Sequence, residues 1–439
     1  MTIARAAYTA VAFLAIPFAA LYLLWRSRRQ REYRLHWAER FGFARYAHSP
    51  GRPLVWIHAV SLGETRAAEP LIDALAAQYP RHDFLLTHMT PTGRAAGAQI
   101  AARMPGRVLQ TYLPYDLPYA VRRFLRAYKP VVGISVETEA WPNLVATASE
   151  MGIPMVLVNA RLSERSYRRS RRYATLMRET AARFSLALAQ TDSDAERIRQ
   201  VGAINVDVTG NLKFDFAPDE AQTVRGEEWR RLLGRPVWLF ASTRDGEEIL
   251  ILDAIGESVD AVILIVPRHP QRFDEVAQLI EARGLPLSRR SRSNFEVADH
   301  CNVFLGDSIG EMALYYAAAD VAFIGGSLLP LGGQNLIEAC AVGTPVVVGP
   351  HTFNFEQAAN DAIDAGAAVR VGSAKDAVAA MASIASDRSR RQQMIEAALQ
   401  FAGAHRGATA RTLARLAPFI EAVSAVESVR PVATALPDR

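Results

Sequence analysis

Three carboxylates in the first half of the chain, each set just after an apolar run, have the type and placing that could carry chemistry. Glu64 lies in HAVSLGETRAAEPL (58–71), where an apolar run gives way to a helix behind Ser61 and Gly63. A carboxylate in a first helical turn caps backbone N–H groups and is favoured by the helix dipole. The same position, at the mouth of a strand-end crevice, suits a general base. Glu137 and Glu139 flank Thr138 in SVETEAWPNL (135–144), again directly after an apolar run. Burying a carboxylate at a strand end is costly without a partner, which favours a functional role for the pair. The stretch 161–183 holds eight arginines, among them Arg161, Arg168 and Arg169, against Glu164 and Glu179. It reads either as a solvated helix face or as a docking surface for phosphates or anionic lipid. Nucleic acid fits less well, because aromatic interleaving is thin and no nucleic-acid-binding motif is present.

The second half carries its own loops. PRHP (267–270) ends a strand with Arg268 and His269 between prolines. GDSIGEM (306–312) runs from a strand into a helix whose first N–H groups suit an anion. GGSLLPLGGQNLIEACAVGTPVV (325–347) joins a Gly-rich loop to a helix bearing Glu338, placed to accept hydrogen bonds from ribose hydroxyls. Gly306, Ser308 and Gly310 also match the nucleophile elbow of α/β hydrolases, with Asp320 and His351 following as possible partners. That rival lacks an HGGG-type oxyanion segment and leaves the first half of the chain unexplained. GxxxxGK[ST], a strand-linked GxGxxG and HExxH are all absent.

These loops need strands to hold them. Apolar runs at 53–60, 82–90, 107–114, 130–137, 153–160 and 186–190 alternate with helical stretches such as 117–129. A polar stretch, 217–228, reads as a linker after VDVTGNLKFD (206–215). The alternation then restarts at 236–243, 261–270, 303–307, 321–327, 345–350 and 367–372, and 374–427 reads as helix. Short apolar strands alternating with helices define an α/β protein of two doubly wound parallel sheets. The expected divisions are an anchor at 1–28, a first domain at 29–215, a second at 216–405 and a C-terminal helix and tail at 406–439. Such sheets bind ligands beyond the carboxyl ends of their strands, where the charged and glycine-rich loops concentrate.

The 439 residues, half of them hydrophobic and 22% charged, exclude a disordered or fibrous chain. Two cysteines, Cys301 and Cys340, form neither a disulfide framework nor a CxxC zinc pair. The net charge is +5, and only Lys129, Lys213 and Lys375 among the 50 basic residues are lysines. Arginine suits bidentate phosphate or carboxylate recognition, although genome composition can produce the same bias. Residues 6–25 carry no charge and reach ~30 Å as a helix, the hydrocarbon thickness. Only Arg5 precedes this run, whereas 26–45 holds seven arginines against two glutamates. The positive-inside rule therefore predicts a retained single-pass anchor, with everything after it in the cytoplasm and held against anionic lipid.

HAVSLGE, VETEAWPNL, NARLSERS, GNLKFD, ASTRDGEE, PRHPQRF, GDSIGEM, GGSLLPLGGQNLIEA and GPHTFNF, in this order, resemble the 3-deoxy-D-manno-octulosonic acid (Kdo) transferases. The resemblance runs from about residue 30 to 410. It implies a GT-B glycosyltransferase of lipopolysaccharide assembly, moving Kdo from CMP-Kdo to the bisphosphorylated, acylated lipid A precursor. Inversion at the donor and independence from any metal or cofactor come with it. The resemblance makes Glu64 the general base, with Ser61, Gly63, Glu139, Arg161, Arg168 and Arg169 on the acceptor side. Glu137 and Lys213 would assist the transition state. Pro267, Arg268, Ile309, Gly310, Glu311, Asn335, Leu336, Ile337 and Glu338 match the stretches that hold CMP. Arg244 stands where many members have histidine, and a cation there still suits the donor. A GT-B transferase using a UDP-sugar on a lipid acceptor is the alternative.

Overall fold

A computed structural model describes residues 2–28, 30–43, 51–215, 218–256, 260–293 and 302–427. Cys301, and Arg29 and Arg45 from the stretch 26–45, lie outside them. The chain forms two compact units, 1–215 together with 407–439, and 216–406.

In the first unit, helix α1 (Ile3–Arg26) precedes an alternating series: β1 (Leu54–His58), α2 (Leu62–Gln78), β2 (Asp83–His88), α3 (Pro91–Arg103), β3 (Val108–Tyr112), α4 (Pro118–Tyr128), β4 (Val132–Val136), α5 (Pro142–Glu150), β5 (Met155–Ala160), α6 (Glu164–Ser170), α7 (Ala174–Ala181), β6 (Leu186–Ala189), α8 (Asp192–Val201) and β7 (Val206–Val208). The strands make one parallel sheet in the order β3-β2-β1-β4-β5-β6-β7. β1, β2 and β4 are buried along their whole length, so they read as continuous apolar runs rather than alternating ones. Gly133 in β4 lets strand and core meet closely, since a Cβ there would sit 2.3 Å from the Met155 sulfur and 2.8 Å from the Trp56 ring.

The second unit continues with α9 (Glu220–Leu233), β8 (Val237–Thr243), α10 (Glu247–Ile255), β9 (Val262–Pro267), α11 (Phe273–Glu281), β10 (Leu287–Arg289), β11 (Val303–Leu305), α12 (Met312–Ala318), β12 (Val321–Ile324), α13 (Ile337–Val342), β13 (Val346–Val348), α14 (Glu356–Asp364), β14 (Ala368–Arg370), α15 (Ala374–Ser386) and α16 (Arg388–Ala404). Its parallel sheet runs β10-β11-β9-β8-β12-β13-β14. Both sheets therefore reverse their winding beside their first strand, between β1 and β4 and between β8 and β12.

Two features differ from the sequence reading. The stretch 217–228, read as a linker, is largely the start of α9. Asp219 caps that helix by accepting from the Gln222 N–H, and Gly226 and Trp229 are its buried residues. A Cβ on Gly226 would lie 2.3 Å from the Leu314 carbonyl, so α9 packs tightly on α12 through two positions that leave little apolar periodicity. The last helix, α17 (Ala408–Glu427), set apart in the sequence reading, is integral to the first unit: Ala408, Leu416 and Ile420 lie in the same core cluster as Val55, Ile134 and Leu71. Asp215 holds its start by accepting N–H groups from Gly407, at 2.6 Å, and from Thr409.

Candidate active site

The reversal point of the first sheet brings two loops side by side, one after β1 and one after β4. Ser61 caps α2, and its hydroxyl accepts from the Glu64 N–H at 3.4 Å. The Glu64 carboxylate reciprocates, accepting from the Ser61 N–H at 3.1 Å and from the Val60 N–H. The capping box is thus formed, and the two readings of Glu64 turn out to be compatible. Burial first, then the charges of Glu137 and Glu139, push the Glu64 carboxyl up to about 7 against the pull of those two N–H groups. A carboxylate with this affinity takes a proton near neutral pH, as an alkoxide-generating base must. Gly63 is exposed, and a Cβ there would meet only the Ser61 Oγ at 3.9 Å, so the approach to Glu64 is open.

Glu137 sits in the left-handed region at φ 65°, a strained conformation for a residue with a side chain. Its carboxylate pairs with the Lys213 ammonium at 3.0 Å. Glu139 is also raised, by burial first and by the charge of Glu137 as well. The Lys213 turn is set by two amides: Asn159 accepts from the Leu212 N–H and Asn211 from the Lys213 N–H, both at 3.0 Å. Asn159, itself at φ 53° and fully buried, is a positioning residue that sequence reasoning missed. Its place inside an apolar strand was the available signal. Beneath these loops, burial pushes His58 down to about 3 and His88 to about 4, so both are neutral supports.

Glu137 also borders an apolar cavity lined by Leu162, Met177, Phe184, Ile198 and Ala203, with Arg161 at its edge. Helices α6 and α7 carry the arginine-rich stretch over it. Arg168 and Arg169 are exposed, and Arg168 pairs with Glu164 one helical turn away at 2.8 Å, apart from the carboxylate group.

In the second unit, the loops after β8 and β12 meet at the other reversal point. Glu247, fully buried, accepts N–H groups from Arg244 at 2.9 Å, Gly326 at 2.6 Å and Leu328 at 3.0 Å. It therefore fixes both loops at once, a second positioning residue the sequence reading passed over inside ASTRDGEE. A Cβ on Gly325 would lie 2.5 Å from the Ser242 carbonyl, so the two strand ends demand a glycine. Burial first, then the field of Arg244, Arg268 and Arg272, lowers the pKa of His269, which marks a concentration of positive charge beyond β8 and β9. Arg272 itself is committed to the buried Glu248.

The remaining expected donor residues divide in two. Arg268, Ile309 and Gly310 are exposed, and Glu311, Asn335 and Glu338 are half-buried. Asn335 donates to the Glu338 carboxylate at 3.0 Å and accepts from the Ile337 N–H at 3.1 Å. Glu311 is held by Arg290 through two bonds at 2.9 and 3.0 Å. Pro267, Leu336 and Ile337 are buried, so their side chains belong to the core and only backbone groups there can face a ligand. The nucleophile-elbow reading does not survive: the Ser308 and Tyr315 hydroxyls are hydrogen-bonded to each other at 2.6 Å, while Asp320 accepts from the Val237 N–H and is taken by Arg230 and Arg391. Among the described residues no group of three or more His, Cys, Asp or Glu could hold a metal ion.

Comparison with solved structures shows the fold. A putative UDP-N-acetylglucosamine 2-epimerase from Listeria monocytogenes aligns with a TM-score of 0.54 at 14% identity, over 88% of this chain and 100% of that one. Residues 288–401 match the glycosyl transferases group 1 family, which with the paired sheets defines a glycosyltransferase of GT-B type. Residues 35–216 match the family of 3-deoxy-D-manno-octulosonic-acid transferases. A Kdo transferase from Bordetella pertussis is 50% identical over 410 residues, 90% of this chain and 95% of that protein. One from Haemophilus influenzae is 34% identical, over 94% and 98%. The chain belongs to the Kdo transferase family, and it is an enzyme of lipopolysaccharide biosynthesis.

Proposed function

We propose that this enzyme moves Kdo from CMP-Kdo to a hydroxyl of the bisphosphorylated, acylated lipid A precursor, with inversion and without a metal. The observation that carries the reading is Glu64, whose carboxyl is raised to about 7 at the reversal point of the first sheet, beside the Glu137–Lys213 pair. The acceptor hydroxyl loses its proton to Glu64 as its oxygen attacks the anomeric carbon. The bond from that carbon to the phosphate oxygen breaks, and CMP departs with the electron pair. Lys213, neutralised by Glu137 before substrate arrives, can turn to the negative charge of the sugar carboxylate or of the transition state. Arg244, Arg268, Ile309, Gly310 and Glu311, the Asn335–Glu338 turn and the backbone at Pro267 serve the donor. Arginine in place of metal answers the charge of the leaving phosphate.

On the acceptor side, Ser61 and Gly63 shape the approach to Glu64, Glu139 adds to its field, and the apolar cavity beside Glu137 suits the acylated part of the acceptor. Arg161, Arg168 and Arg169 suit its phosphates and the surrounding anionic lipid. Helix α1 attaches the enzyme to the inner membrane, with both units on the cytoplasmic face. The test is a mass-spectrometric assay of purified enzyme with lipid A precursor and either CMP-Kdo or UDP-sugars. Products heavier by one or more Kdo residues, formed from CMP-Kdo alone, are expected; transfer from a UDP-sugar with none from CMP-Kdo overturns the reading.

A further inference from the structure

Helix α1 has the length and composition of a membrane span, yet its two ends touch the same unit. At the N-terminal end the Arg5 guanidinium is buried against α5. It binds the Glu150 carboxylate at 2.6 Å, the Asn143 side chain at 2.9 Å and the Thr147 hydroxyl at 3.4 Å. Thr9, one turn on, reaches the same Asn143 at 3.1 Å, and the Thr2 hydroxyl donates to Glu179 of α7 at 2.6 Å. In the middle, Phe13 stacks on Tyr119 of α4 with ring centroids 6.1 Å apart. At the C-terminal end Leu23 and Ser27 are buried, Arg34 donates to the Ser27 hydroxyl at 2.9 Å, and Arg26 lies over the Tyr33 ring. Residues 5, 9, 23 and 27 fall on one helical stripe, which faces the protein.

The opposite stripe is apolar and bare: Ile3, Val11, Leu14, Phe18, Leu21 and Trp25 are exposed. A helix of 24 residues is ~36 Å long, so a span would carry Arg5 to the far side of ~30 Å of hydrocarbon. Arg5 cannot be there and in its pocket on α5. Breaking that pocket would strip the buried Asn143 of its guanidinium partner, leave Glu150 with Arg122 alone, and move Arg5 through lipid.

We propose that α1 is an interfacial helix lying in the plane of an anionic membrane leaflet, docked along the first unit, and does not cross the bilayer. Its outer stripe enters the acyl boundary, and the exposed side chains of Leu35, Tyr119 and Tyr173 extend the apolar face. Exposed Arg28, Arg31, Arg34 and Arg123 supply the charge that anionic headgroups attract. Arg123 also stacks over Phe43, another exposed ring, with its guanidinium carbon 3.7 Å from the centroid. The inference rests on the membrane attachment proposed above, not on the identity of the donor.

The test uses the full chain in native membrane vesicles. Cys301→Ser and Cys340→Ala remove the native thiols, and Thr2→Cys and Glu179→Cys are added singly and together. An in-plane helix gives labelling of both new cysteines by an impermeant maleimide from the same face, and a disulfide between them under mild oxidation. Labelling of Thr2→Cys only from the face opposite Glu179→Cys overturns the inference, as does failure of Thr2→Cys both to label from the Glu179→Cys side and to cross-link. A chain recovered wholly in the soluble fraction overturns membrane attachment and this inference together. Transfer from CMP-Kdo, assayed on the same preparations, reports separately on the activity.

Discussion

The Lys213 ammonium lies 3.0 Å from the Glu137 carboxylate although 76 residues separate them, and the pair stands beside the capping carboxylate Glu64. Glu137 raises the proton affinity of Glu64 without touching the proton itself. In Glu137→Gln that repulsion disappears while the burial of Glu64, the larger cause, remains. The acid limb of the kcat/KM profile should move to lower pH but stay above the ordinary carboxylate range. An unmoved limb would show that Glu137 does not act on the base.

For the unaltered enzyme the sign follows from the raised carboxyl. Glu64 accepts a proton only when ionised, so activity should be low below pH 6 and rise through about 7 to a plateau. Steady-state rates at saturating donor across pH 5–9 check this. A flat profile through that window removes Glu64 from the proton transfer.

Glu64→Gln keeps the shape of the side chain and an acceptor oxygen for the cap, but cannot take the proton. Transfer should fall by roughly 10²–10⁴-fold, the usual worth of a general base. CMP binding, measured by calorimetry, should be unchanged because the expected donor residues belong to the second unit. Near-normal turnover in this variant would return Glu64 to the role of a helix cap alone.

Glu247 ties the Arg244 loop to the Gly326–Leu328 loop through three N–H groups. Glu247→Ala leaves those buried donors unpaired, and unfolding free energy should fall by about 1–3 kcal/mol or more. The donor KM should rise more than kcat falls, since Glu64 belongs to the other unit. Denaturant melts and donor titrations read the two effects separately.

Gly325→Ala tests the same junction from the steric side. The added methyl would stand 2.5 Å from the Ser242 carbonyl and 2.6 Å from the Thr243 Cα, both backbone atoms that cannot swing away. A loss of about 1–3 kcal/mol is expected, together with weaker CMP binding. Gly63→Ala, where a Cβ meets only the Ser61 Oγ at 3.9 Å, should leave stability within ~0.5 kcal/mol.

The wholly buried strands were legible because parallel sheets covered on both faces need unbroken apolar runs such as LVWIH and VILIVP. Strand β10, LSR, was not, since three half-buried residues with a terminal arginine carry no such run. Helix α9 hid for a related reason, as Gly226 and Trp229 do its packing. At the site, Glu64, Glu137 and the glycine loops stood out by type and by position after strands. The Lys213–Glu137 contact, the brace from Asn159 to Leu212 and the role of Glu247 did not. Each depends on which strands become neighbours, and the order β3-β2-β1-β4 places loops together that are far apart along the chain.

Because α17 completes the first core, the second unit is an insertion in the covalent sequence of the first. During synthesis, β1 through β7 emerge before the whole of residues 216–406, and Leu416 and Ile420 follow only after them. The nascent first unit waits with an uncovered apolar face while residues 216–406 are made, already carrying α1 at its head. Docking of α17, secured by Asp215 at the point where the chain returns, is then the step that closes the first core, and a ribosome stalled before codon 408 leaves that unit unfinished.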